Sequence, residues 1–229
     1  MLGTEKLNQY YGGSHTLWDI DLEVPNGACV CLMGRNGVGK TTLLKVIMGL
    51  LPASSGTVRF DGTDLTRARP EARARAGIGY VPQGREIFAS LTVEENLRIA
   101  RIGRRGASQV PERVLALFPA LKEMLRRRGG DLSGGQQQQL AMGRALALDP
   151  KLLILDEPTE GIQPNIVQEI GDVITRLADE GVTVLLVEQK LAFARKFARS
   201  FAILDRGHVV ARGAIDELTD DLVRRHLTV

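Results

Sequence analysis

The chain carries Gly34-Arg35-Asn36-Gly37-Val38-Gly39-Lys40-Thr41-Thr42: a glycine, four free positions, then Gly-Lys-Thr. The flanks give the pattern its meaning. Residues 28–33, Ala-Cys-Val-Cys-Leu-Met, form an apolar run that reads as a buried parallel strand. Leu43, Leu44, Val46, Ile47 and Met48 follow at helical spacing, with Gly49 as the expected cap. Strand, glycine loop and helix are the context in which this motif binds phosphate. Glycines let the backbone turn tightly enough for successive N–H groups to point inward, and the helix start adds partial positive charge. Gly34, Asn36, Gly37, Gly39, Lys40, Thr41 and Thr42 are the expected nucleotide cradle. Lys40 is predicted to reach the β- and γ-phosphates, and the Thr41 hydroxyl to coordinate Mg²⁺.

At 229 residues the chain suits one large domain, or a core with a subdomain. Hydrophobic residues make up 44% and charged residues 25%, an ordinary globular balance that argues against disorder. Net charge is only +3, too little for a strong basic field. Arginines cluster within 67–75, 101–105 and 126–128, but no aromatic stacking platform is interleaved with them, so solvated faces are expected rather than a nucleic-acid surface. Cys29 and Cys31 lie two apart on the expected strand and share one face. A lone C-x-C pair points to buried small hydrophobes in a reduced cytosolic chain, not to a metal or redox site. No segment resembles a secretory signal or reaches membrane-spanning length, and a soluble chain is expected.

Residues 4–10 and 17–24 read as half-exposed antiparallel strands, with Leu17, Asp19, Asp21 and Glu23 on one face and Trp18, Ile20, Leu22 and Val24 on the other. Tyr11 stands at the end of the first strand, where an aromatic can stack on an adenine ring or pack against the core. Residues 56–62 read as a strand closing in an Asp-Gly turn, and 78–83 as one ended by proline, leaving Gln83 in a loop. Then the texture changes. Residues 91–100, 111–117, 119–127 and 136–148 have helical periodicity, with Thr92 and Glu95 as a capping box, so 90–149 is expected to be a helical insert. The glutamines at 136–139 are expected on the surface of a helix. An α/β texture returns with strands at 151–155 and 183–187, helices at 164–180 and 191–199, a hairpin about Arg206-Gly207 and a last helix at 216–227.

Asp156 and Glu157 follow the apolar run Leu152-Leu153-Ile154-Leu155 and emerge at the strand's carboxyl end, where ligands of open α/β sheets bind. In that position Asp156 would hold Mg²⁺ and Glu157 would polarise an attacking water as general base. Leu132-Ser133-Gly134-Gly135-Gln136 opens a helix and offers another anion site, carried on the helical insert. Nothing obliges that loop to meet the same phosphate within one chain; a second protomer can bring it there.

The phosphate loop, Gln83, Leu-Ser-Gly-Gly-Gln and Asp156-Glu157, in this order and spacing, resemble the ATP-binding subunits of ABC transporters along essentially the whole chain. The resemblance implies an α/β P-loop NTPase (ABC ATPase) core with an antiparallel β-subdomain and an α-helical subdomain, spanning residues 1–229 as one ATP-binding domain. It implies a head-to-tail dimer sandwiching two ATP molecules with Mg²⁺, Tyr11 stacking on adenine, and Ser133, Gly134, Gly135 and Gln136 closing on the partner's γ-phosphate. It assigns Gln83 to Mg²⁺ and the attacking water, and Gln189 to the position of a switch histidine. Implied partners are transmembrane permease subunits, a second ATPase subunit and, indirectly, a solute-binding protein, with no nucleic acid. The implied place is the cytoplasmic face of the inner membrane. Finer resemblance, at residues 81–88, 136–139 and 160–164, is to the branched-chain amino acid and urea uptake group, most of all its urea-importer member. A soluble mechanical ATPase acting on nucleic acid or ribosomes is the rival, but the coiled-coil insertion or tandem cassette usual in such proteins is missing. The sequence departs from the wider pattern at Gln189 for histidine, Gln163 for aspartate and Gln139 for arginine. Glutamine still donates hydrogen bonds but carries no proton. The histidines at 15, 208 and 226 lack metal-like spacing, and no role is expected for them.

Overall fold

Strands buried at every position must be covered on both faces, and three such strands form the middle of this molecule. The computed structural model describes residues 1–102 and 109–228. From the start, β1 (Leu2–Tyr11) and β2 (Ser14–Val24) form a hairpin, and β3 (Cys29–Met33) leads into α1 (Lys40–Ile47). β4 (Ser55–Phe60), β5 (Thr63–Asp64), α2 (Pro70–Ala76) and β6 (Ile78–Val81) follow. The helices α3 (Val93–Ile99), α4 (Glu112–Leu117), α5 (Pro119–Glu123) and α6 (Gly134–Leu146) come next. The chain closes with β7 (Leu152–Asp156), α7 (Pro164–Asp179), β8 (Thr183–Val187), α8 (Leu191–Phe197), β9 (Ser200–Asp205), β10 (His208–Ala214) and α9 (Asp220–His226).

The main sheet has six strands in the order β10-β9-β3-β8-β7-β6, parallel except for β10. Its central strands are buried throughout. One face, with Cys29, Cys31, Leu153, Leu155, Val184 and Leu186, packs on Leu140 of α6, Ile170 and Ile174 of α7 and Phe193 of α8. The opposite face, with Val30, Leu32, Ile154, Leu185 and Val187, packs on Leu43, Leu44 and Ile47 of α1 and on the inner side of β2. The two cysteines are free and share a buried face as expected; burial pushes the Cys29 thiol up to about 12 and Cys31 well up. A second, antiparallel sheet has the order β2-β1-β4-β5.

Several expectations need correcting. Leu17 is fully buried and Trp18 is 43% exposed, the reverse of the alternation read from sequence. The cause is a bulge: pairing runs Leu7 to Ile20 and then Gln9 to Leu17, one residue longer on β2, with Asp19 at φ 44°. The arginine stretch 67–75 is not wholly solvated. It contains α2, and Arg73 is only 2% exposed. Gln138 and Gln139 are buried rather than on the surface of α6. The helix expected at 119–127 ends at Glu123, and the one at 216–227 divides into a short turn at Ile215–Glu217 and α9, which Thr219 caps. Arg126, Arg127 and Arg128 are exposed, whereas Arg104 and Arg105 of the middle cluster lie outside the described residues.

The cap of α1 is as read: Gly49 adopts φ 72°, its N–H reaches Val46 O, and Leu50 N–H reaches Lys45 O. Arg73 completes that end by donating to Val46 O, Ile47 O, Ala68 O and Thr66 O.

Candidate functional site

The loop from β3 to α1 uses glycine where a side chain would collide or the backbone is left-handed. A Cβ on Gly34 would lie 2.4 Å from Leu204 O, and one on Gly39, at φ 111°, would lie 2.9 Å from Leu17 Cδ2. Gly39 is the N-cap of α1, so the first N–H groups of the helix face the loop. Inside the loop the buried Lys40 ammonium donates to Gly34 O at 2.8 Å and Arg35 O at 2.9 Å, and it lies 3.5 Å from Glu157 Oε1.

The second half of the site comes from the carboxyl ends of β8, which pairs with β3, and of β7, one strand further out. Thr41 Oγ1 donates to Asp156 Oδ2 at 3.2 Å. Asp156 Oδ1 is buried without a hydrogen-bond partner. Burial pushes this carboxyl up to about 6 against the Thr41 hydrogen bond; the Glu157 charge adds to the rise, and Lys40 and Lys45 oppose it. An orphaned carboxylate oxygen beside a threonine hydroxyl fits a divalent cation. Among the described residues no group of three or more His, Cys, Asp or Glu side chains is arranged to hold a metal ion. A cation here would therefore depend on substrate phosphates and water for most of its shell, as Mg²⁺ commonly does.

Glu157 adopts φ 50° at the strand end, and its side chain is 11% exposed. Gln189 Nε2 donates both to Glu157 Oε1 and to Asn36 Oδ1, the latter at 2.6 Å, joining β8's loop to the glycine loop. Gln83 Nε2 donates to Glu160 Oε2 at 2.9 Å and lies 3.4 Å from Glu157 Oε2. These groups line a cleft of about 640 Å³ that also takes in Thr16, Gly37, Thr42, Glu188 and Lys190. Tyr11 is 47% exposed at the hairpin tip, its hydroxyl 3.5 Å from Thr42 Oγ1.

The structure thus brings together Asn36, Gly37, Gly39, Lys40, Thr41, Thr42, Gln83, Asp156, Glu157 and Gln189, with Gly34 holding the loop beneath them. It does not bring Ser133, Gly134, Gly135 or Gln136 into this cleft. Those four open α6 with a capping box, Ser133 Oγ accepting from Gln136 N and Gln136 Oε1 from Ser133 N. Gln163 caps α7 and makes no side-chain cap bond. Sequence reading missed Thr159, Glu160, Glu188 and Lys190. Glu188 had a signal, since it follows an apolar strand just as Asp156-Glu157 does.

A glycine loop opening α1, a carboxylate pair at the end of a parallel strand of the same sheet and a capped signature helix set apart from the cleft define an ATP-binding cassette. The model of the ABC transporter family matches residues 17–160, and this chain belongs to that family. It is 45% identical to the high-affinity branched-chain amino acid transport ATP-binding protein BraG of Pseudomonas aeruginosa, over 92% of this chain and 91% of that one. It is 39% identical to the probable branched-chain amino acid transport ATP-binding protein LivF of Archaeoglobus fulgidus, over 96% and 94%. A dimeric ATP-binding cassette in a post-hydrolysis state with ADP and Pi superposes with TM-score 0.84 at 26% identity, covering 94% of this chain and 99% of that one. The chain is an ATP-binding subunit of an ABC transporter, an ATPase whose hydrolysis is coupled to transport. Among the described residues no helix is long and apolar enough to cross a membrane.

Proposed function

We propose that this subunit drives uptake of a small polar solute, urea or a branched-chain amino acid, from the cytoplasmic face of the inner membrane. The names of the relatives support an amino acid, and the fingerprints at 81–88, 136–139 and 160–164 support urea. The nucleotide subunit need not touch the solute, so the motor chemistry serves either. Permease subunits receive the motion, and a solute-binding protein delivers the cargo to them.

The observation that carries the motor reading is the convergence of Lys40, Glu157, Gln189 and Asn36 beside the Thr41–Asp156 pair. Lys40 and the loop N–H groups hold the ATP phosphates, and Tyr11 stacks on the adenine. Thr41, Asp156 and Gln83 would hold Mg²⁺, which supplies charge neutralisation at the phosphates. Glu157 accepts a proton from the attacking water, while Gln83 and Gln189 orient that water and the γ-phosphate. Ser133, Gly134, Gly135 and Gln136 cap the nucleotide held by a second ATPase subunit, because they stand outside their own chain's cleft. Replacing Glu157 with Gln removes the proton acceptor and keeps the shape. Turnover should fall by roughly 10²–10⁴-fold while ATP still binds, and ATP-bound dimer should accumulate in gel filtration. Unchanged turnover by a fully loaded variant would refute the general-base assignment.

A further inference from the structure

Glu188 is 3% exposed and takes no part in the roles assigned above. Its carboxylate accepts three hydrogen bonds: from the Thr159 hydroxyl at 2.6 Å, Gln189 N–H at 2.8 Å and Lys190 N–H at 3.0 Å. Thr159 is fully buried in the loop that follows Glu157, and the same loop carries Glu160, the partner of Gln83. A second bond joins the two loops from the other side, Lys190 Nζ donating to Thr159 O at 2.8 Å. Two segments that each carry a group of the hydrolytic centre are therefore clamped together by a buried acceptor.

We infer that Glu188 is a positioning residue for hydrolysis, acting through Thr159 and the backbone of Gln189 to set the Gln189 amide against Glu157 and Asn36. A freely rotating glutamine would spend its amide on water. Here one carboxylate fixes the backbone on which Gln189 stands and ties it to the segment that bears Glu157. Binding of the phosphates does not need this clamp, since Lys40 and the loop N–H groups belong to α1 and its approach. The clamp should therefore affect turnover and leave ATP affinity alone. The inference rests on the reading that Glu157 and Gln189 act on the γ-phosphate.

The test compares Thr159→Val, which keeps the shape and removes the donor, with Thr159→Ser, which keeps the donor. Single-turnover hydrolysis of Mg-ATP by the full chain gives the rate, calorimetry gives the ATP dissociation constant, and thermal unfolding reports the fold. Thr159→Val should slow hydrolysis about tenfold with affinity unchanged, the scale of a lost orienting contact. Thr159→Ser should restore the rate. In a Gln189→Ala background Thr159→Val should add almost nothing, because the residue it acts through is gone. Glu188→Ala, which removes the acceptor outright, should slow hydrolysis at least as much as Thr159→Val. A wild-type rate for Thr159→Val, equal losses for Val and Ser, or a full tenfold effect without Gln189 would each overturn the inference. Unchanged rates for both Glu157→Gln and Gln189→Ala would instead overturn the site reading on which it stands.

Discussion

Lys40 is the buried cation of the glycine loop. Its ammonium is met by two backbone carbonyls and by Glu157, so the charge is compensated within the loop. Lys40→Ala removes a charge-assisted contact to phosphate without altering the apolar core. A contact of this kind is worth about 1.5–3 kcal/mol, so ATP affinity should fall by roughly 10- to 100-fold, with a smaller loss of stability from the Gly34 and Arg35 carbonyls left without their donor. Calorimetric titration with ATP, alongside a thermal melt, checks both halves of this expectation. Asp156 differs in kind: burial disfavours its charged form, and a bound cation is what would favour it.

At the scale of the element, the two ends of α1 have opposite electrostatic roles. Its N-terminus opens into the glycine loop, where N–H groups and the dipole favour anions. Its C-terminus ends on the Arg73 guanidinium, which takes carbonyls of the last turn and of the segment leading to α2. Gly49 is required beside it, because a Cβ there would stand 2.8 Å from Arg73 Nε. Arg73→Ala would orphan buried carbonyls and leave a cavity, at a cost of about 2–4 kcal/mol. Urea unfolding should show that loss, and ATP affinity should stay near wild type because Arg73 does not line the cleft. Lysine at this position should recover only part of the stability, since a single ammonium cannot reproduce the planar fork.

At the scale of the whole molecule, the cleft and the signature loop are separate surfaces of one chain. Gln189 stands where the resemblance expects histidine, and Gln163, where it expects aspartate, caps α7. We expect pairing with a second, histidine-bearing ATPase subunit, in which this chain's Ser133–Gln136 loop serves the faster site. Ser133→Arg should then cut ATPase activity of the mixed complex more deeply than Gln189→Ala, by about one to three powers of ten. Steady-state assays of each variant, alone and with the partner, decide the matter. Full-rate hydrolysis by the isolated chain, abolished by Gln189→Ala, would indicate a self-sufficient homodimer.

The sequence alone determined the parts whose constraints are local. Glycine spacing, an apolar strand before it, the Thr92–Glu95 and Ser133–Gln136 capping boxes and the Gly49 cap are each satisfied within a few residues, so they are legible without a partner. The same holds for Asp156-Glu157, because a strand's carboxyl end is a position along the chain. Only the tertiary structure decided what depends on distant neighbours. The bulge in β2 reverses Leu17 and Trp18 because pairing with β1, not alternation, sets the register. Arg73 and Gln139 are buried by acceptors elsewhere: carbonyls of α1 for one and Glu169 of α7 for the other. Gln189 meets Asn36 across 153 residues, and Glu188 meets Thr159 across 29. Such contacts are properties of sheet order, which places β3, β8 and β7 side by side, and no spacing along the chain encodes them.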